Sequence, residues 1–130
     1  MGEHVDLDLP LSARYATTVR SVAASVAAAL GMSIDDIDDL RLGVNEAISV
    51  LTDVDDDVRD AGGGRLHVRF ETEPGRIAVT AHRTGVSATA SVAEIDILAR
   101  RILSAVVDEF SVDEDGAILL VKQVPVDADT

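Results

Sequence analysis

Three histidines are the first side chains in this sequence that could do chemistry: His4, His67 and His82. Each falls on the polar side of an alternating segment, and His67 and His82 could approach one another if their segments fold together as a hairpin. A metal pair of that kind lacks a third ligand at a recognisable spacing, so solvated strand histidines are the plainer reading. The runs Asp35-Asp36 with Asp38-Asp39, and Asp55-Asp56-Asp57, offer oxygen ligands for calcium. Neither has the central Gly and distal Glu of a calcium loop. The first reads as charge favouring a helix start and the second as a solvated loop. The absence of cysteine removes disulfides, thiolate metal sites and thiol nucleophiles together. No metal is therefore expected. The glycine triplet at 62–64 precedes a strand and reads as a flexible turn.

Charge and length bound the partners and the architecture. A net charge of -13 opposes direct binding to nucleic acid, which needs Lys and Arg to replace counterions. It suits a basic protein partner, or serves solubility alone. The 130 residues fit one domain over 1–126 with a short tail at 127–130. Apolar residues make up 47 % and aromatic residues 2 %, so the core must be filled by Ala, Val, Leu and Ile. Met1-Gly2-Glu3-His4 begins no signal-like segment, and no apolar run approaches the roughly 20 residues of a membrane span. The expectation is a cytoplasmic protein with no membrane association.

The elements that must position any site follow from periodicity. Val5, Leu7 and Leu9 alternate with His4, Asp6 and Asp8, as in a half-buried strand closed by Pro10. Over 12–30, Ala16, Val19, Ala23, Val26 and Leu30 recur at helical steps, and Gly31 is a stop signal. Ser33 and Asp36 open a second helix by satisfying free amides of its first turn. Ile37, Leu40, Val44, Ile48 and Leu51 form its main stripe, whereas Leu42 and Val50 lie off it, on the side expected to face water. A polar stretch holding Asp53, Asp55, Asp56, Asp57 and Asp60 reads as a loop. Residues 65–71 and 76–82 alternate about Glu73-Pro74-Gly75 and predict a β-hairpin. Ser91 and Glu94 predict a third helix to about residue 109, with Ile95, Leu98, Ile102, Val106 and Phe110 buried. Strands over 110–112 and 117–124 complete the order. The economical packing is an α+β two-layer sandwich: a mixed, mostly antiparallel sheet of about five strands with helices on one face.

Three phrases, in this order, resemble a known family. Val19-Arg20-Ser21-Val22 through Ala28-Ala29-Leu30-Gly31 looks like the first helix of the anti-sigma-factor serine kinases, which belong to the histidine-kinase-like ATPase superfamily. Asp39-Leu40-Arg41-Leu42-Gly43-Val44-Asn45-Glu46-Ala47-Ile48 is similar to that family's nucleotide-binding helix, and Asp115-Gly116-Ala117-Ile118-Leu119-Leu120-Val121-Lys122 to its closing strand. The likeness spans nearly the whole chain and rests on the collinearity of the phrases. It implies the histidine-kinase-like ATPase fold and a particular site. A Glu orients or deprotonates the attacking hydroxyl, an Asn one turn on holds magnesium, an Asp-x-Gly turn reads adenine, and a glycine-rich lid meets the phosphates.

Against that pattern the site is eroded. Glu46 occupies the carboxylate position, but Val50 stands where the Asn is expected and has no lone pair for magnesium. Asn45 lies about 100° around the helix from Glu46 and cannot substitute. Arg83-Thr84-Gly85 replaces Asp-x-Gly, so Arg83 presents only donors where an acceptor is needed, while Gly85 matches the glycine. No Asp or Glu occurs from Pro74 to Ala93, and no further glycine between Gly85 and Glu94. Glu46 is either a surviving base or a polar residue in the wall of a former pocket, and the second reading is favoured because a base needs a positioned substrate.

The expectation is an anti-sigma-factor-like binding protein, without efficient ATP binding, kinase activity or cofactor. It would bind a sigma factor, an anti-anti-sigma antagonist, or both. Arg20 matches a partner-contacting arginine of the family, and Arg14 accompanies it. The alternative is an active serine kinase using ATP and magnesium on an anti-anti-sigma protein. A third possibility is a stand-alone homodimeric domain with an unrelated partner.

Overall fold

The computed structural model describes residues 2–53, 64–85 and 97–124. Strand β1 (Glu3–Pro10) pairs antiparallel with β2 (Arg65–Glu73), with Val5 opposite Phe70, Leu7 opposite Val68 and Leu9 opposite Leu66. Pro10 fits here because an edge strand does not need its missing N–H for the ladder. From β2 the chain turns through Gly75, at φ 82°, into the antiparallel β3 (Arg76–Thr84). The positive φ explains the glycine, since other residues rarely adopt it. Strands β4 (Glu109–Val112) and β5 (Ile118–Gln123) complete a five-stranded sheet of order β1-β2-β3-β5-β4.

Every adjacent pair among the described strands is antiparallel, which corrects the expectation of a mixed sheet. The reason is topological. β3 and β4 run the same way, because each is antiparallel to β5, and they would form a parallel pair if they touched. β5 separates them.

Helices α1 (Ala16–Ala29), α2 (Ile34–Thr52) and α3 (Ile97–Val106) cover one face. A single 3-10 turn, Ala13–Tyr15, leads into α1 where a continuous helix from residue 12 is predicted. The inner face of the sheet contributes Leu66, Val68, Phe70, Ile77, Val79, Ala81, Ile118 and Leu120 to the core. Val19, Ala23 and Ala27 of α1 meet them, with Leu40, Val44, Ala47, Ile48 and Leu51 of α2. Gly43 sets the distance between α2 and the end of α3. A Cβ there would lie 2.9 Å from Cγ1 of Val107 and 3.5 Å from Cγ2 of Val106.

The third helix differs from expectation in two ways. It ends at Val106, because β4 already begins at Glu109, so Phe110 is a half-buried strand residue. Its buried stripe is Ala99, Leu103 and Val106, whereas Leu98 is 67 % exposed and Ile97 73 % exposed. The stripe is rotated by one residue, from Leu98 and Ile102 to Ala99 and Leu103, and it brings the end of α3 against Gly43. Its predicted start, with Ser91, Glu94 and Ile95, lies outside the described residues, as do the acidic positions from 54 to 60.

Candidate functional site

α2 is fixed at both ends by side chains that complete its backbone hydrogen bonding. At its start the Ser33 hydroxyl accepts from the Asp36 N–H at 3.1 Å, as the capping signal predicts. Lys122 reaches the same region from β5. Its Nζ donates to the Val106 carbonyl at 2.9 Å and lies 3.7 Å from Asp36 Oδ1 and 3.6 Å from Asp39 Oδ2. Only 9 % exposed, Lys122 joins the start of α2, the end of α3 and the sheet.

At the other end of α2, Thr52 Oγ1 donates to the Ile48 carbonyl at 2.7 Å. The Leu51 carbonyl accepts from Arg83 Nη1 at 3.1 Å. Arg83 stands opposite Leu66 in the ladder and so projects from the helical side of β3. Its cation meets the negative end of the helix dipole, a favourable arrangement. Partial burial pulls the Arg83 pKa below the ordinary arginine value, and the nearby Asp53 carboxylate opposes that shift. Two residues on, Gly85 turns the strand end with φ 76°.

The Arg83–Leu51 contact brings three positions of interest to one end of α2: Val50 beside Leu51, Arg83 itself, and Gly85. Val50 is half-buried and packs against the hydrophobic core. One turn back Glu46 is half-buried, and a further turn back Leu42 is 45 % exposed. This face therefore runs from open to hydrocarbon-lined, with Glu46 at the transition. The tract at 86–96, where the lid is expected, lies outside the described residues.

The residues singled out for partner contact sit at the start of the helical layer. Arg14 is exposed in the 3-10 turn. Arg20 is half-buried; its Nη1 donates to Asn45 Oδ1 at 3.0 Å and its Nη2 to Thr17 Oγ1 at 3.0 Å. Asn45 thus joins α1 to α2, a role that its sequence neighbourhood does not reveal because its partner lies 25 residues away.

The face of the sheet opposite the described helices carries a second concentration of polar groups. Arg69 donates to Asp6 through Nε at 2.7 Å and Nη2 at 3.0 Å, and this pairing holds the Asp6 carboxyl below the usual carboxylate value. Arg65 Nε donates to Asp8 Oδ1 at 3.0 Å. His67 and His82 are direct partners across β2 and β3, and their rings stack with centroids 4.9 Å apart and planes inclined by 18°. His4 lies near Asp6, away from that pair. A groove of about 520 Å³ crosses this face, lined among others by Asp8, His67, Arg69, Thr80 and His82.

Fold and surface together define the class: an α+β domain with a five-stranded antiparallel sheet and three described helices. Beyond that class, no protein-family model matches the sequence and no curated protein matches it significantly. No helix among the described residues is long and apolar enough to cross a membrane.

Proposed function

We propose that this chain is a cytoplasmic anti-sigma-factor-like regulator built on the histidine-kinase-like ATPase fold, and that it acts by binding a sigma factor or its antagonist rather than by phosphorylation. The element order and the packing of the described helices on one face of the sheet support the fold reading. The observation that carries the functional reading is the placement of Arg83. Where a nucleotide-binding relative needs an acceptor for the adenine amino group, this chain has a guanidinium committed to the last turn of α2. Val50, one turn from Glu46, packs into hydrocarbon and offers no oxygen to magnesium. Glu46 is then a carboxylate without a positioned phosphoryl donor.

Binding would use the surface around Arg14 and α1. Arg20 is pre-organised by Asn45 and Thr17, which lowers the ordering cost of a contact made through it. An acidic domain is also electrostatically matched to the basic, nucleic-acid-binding surface of a sigma factor. Two measurements test the reading. Titration with ATP, with and without magnesium, should show no saturable binding, and saturable magnesium-dependent binding would sink the eroded-site reading in favour of an active kinase. Pull-down from the host should recover a sigma factor or a small antagonist protein, and recovery of neither would remove the regulatory role.

A further inference from the structure

The strand register aligns three side chains into one row on the face opposite the described helices: Asp8 of β1, His67 of β2 and His82 of β3. Asp8 and His67 are separated by 59 positions in the chain, so their proximity is created by the β1–β2 pairing. We propose that His67 and His82 form an open, exchangeable site for a borderline divalent metal ion of the zinc, nickel or copper type. Two imidazole nitrogens would bind the ion and water would complete its coordination. This inference stands independently of the sigma-factor reading.

The geometry supports it in three ways. The stacked rings leave the same sheet face from directly opposed residues, so both can reach one ion in the groove above them. Two nitrogens bound at about 2.0–2.1 Å to a tetrahedral ion lie roughly 3.3 Å apart, so binding requires the two rings, now stacked with centroids 4.9 Å apart, to fan about their side-chain torsions until their nitrogens converge. His67 also has a polar group beside each ring nitrogen. Its Nδ1 lies 3.7 Å from Asp8 Oδ1, and its Nε2 lies 3.0 Å from Thr84 Oγ1. In the tautomer that carries its proton on Nδ1, on the side of the carboxylate, Nε2 has the lone pair, and a metal would displace the Thr84 hydroxyl from it. A carboxylate behind a ligating imidazole is the usual outer-shell support of a histidine–metal bond.

The donor chemistry selects the ion. Imidazole nitrogen favours zinc, nickel and copper over magnesium and calcium, which prefer oxygen. Among the described residues no three His, Asp or Glu side chains form a closed cage, so the site keeps open positions, unlike a structural zinc centre. Asp6, Asp8 and Glu71 around the groove offset the charge of Arg65 and Arg69, and the net charge of the whole chain attracts cations.

The test is calorimetric titration of the full chain with zinc chloride in excess magnesium, which occupies carboxylate-only sites. Saturable binding of a single zinc ion is expected. His67→Ala and His82→Ala should each weaken it about 10-fold or more, and Asp8→Asn should weaken it by a smaller factor. His4→Ala should leave it unchanged. His67→Gln and His82→Gln, which preserve bulk on the strands, should reproduce the losses while circular dichroism stays that of the parent. Undiminished zinc affinity when His67→Ala and His82→Ala are combined in one chain, or no saturable binding by the parent, would overturn the assignment.

Discussion

Replacing Arg83 by aspartate would install the carboxylate that a nucleotide-reading turn needs, at a position where the structure opposes it. The substitution removes the Nη1 hydrogen bond to the Leu51 carbonyl, which spans 3.1 Å at the end of α2. A hydrogen bond from a charged donor contributes about 1.5–3 kcal/mol, and the partial exposure of the guanidinium places this one near the lower figure. Exchanging a cation for an anion beside the last helical turn reverses a dipole interaction of about 0.3–1 kcal/mol for each charge. The expected loss is about 2–4 kcal/mol, which is about 8–16 °C in Tm at roughly 4 °C per kcal/mol for a domain of this size. Urea and thermal denaturation followed by circular dichroism measure it. Arg83→Asn separates the parts, because it loses the cation and the guanidinium contact without adding an anion. The helix carbonyls should raise the folded-state pKa of the new carboxyl above its unfolded value, so its penalty should shrink as pH falls through that pKa. The Asp and Asn variants should then converge near about pH 4. An Arg83→Asp variant as stable as the parent at neutral pH would refute the capping role.

Three further outcomes are expected. Lys122→Met leaves the Val106 carbonyl without its donor and Asp36 and Asp39 without their shared cation, and should lower the urea-unfolding free energy by about 1–3 kcal/mol. Gly43→Val should cost about 1–3 kcal/mol through its clash with Val107, and Gly43→Ala less because helix propensity returns about 1 kcal/mol; unfolding midpoints with unchanged slopes would check both. The lowered pKa of Asp6 comes first from its hydrogen bond to Arg69, so Arg69→Ala should move the carboxyl upward in a carbon-13 NMR titration. Because the folded value is depressed, the pair's contribution is present above the ordinary carboxylate pKa and disappears as pH falls through the folded value.

Local periodicity made much of the fold legible. Val5, Leu7 and Leu9, then Leu66, Val68 and Phe70, lie on the same side of their strands because alternation fixes which face each residue takes. The α2 stripe was equally readable, since Leu40, Val44, Ile48 and Leu51 recur at helical steps and all four are buried. α3 was less so: its apolar doublets leave the stripe undetermined until the helix has a neighbour. Sheet order was legible only in outline, because nothing local in residues 109–123 says that β5 enters between β3 and β4. At the candidate site, Val50, Arg83 and Gly85 could be placed by their order along the chain. What Arg83 touches could not, because its acceptor is a backbone carbonyl 32 residues away. The same holds for the Asp8–His67–His82 row, whose acidic member comes from the far edge of the sheet.

The insertion of β5 has a consequence for how this protein is made. During synthesis the helices and the β1-β2-β3 half of the sheet leave the ribosome first, and β4 follows without a described partner on the side that β5 will take. Until 118–123 emerge, β3 presents a bare edge along Arg76–Ala81, and Leu120 has not yet filled its place against Phe110 and Val79. An unpaired strand edge is a template for other extended chains. Neighbouring nascent copies on one messenger therefore meet their greatest risk of mispairing in the interval before that single strand arrives.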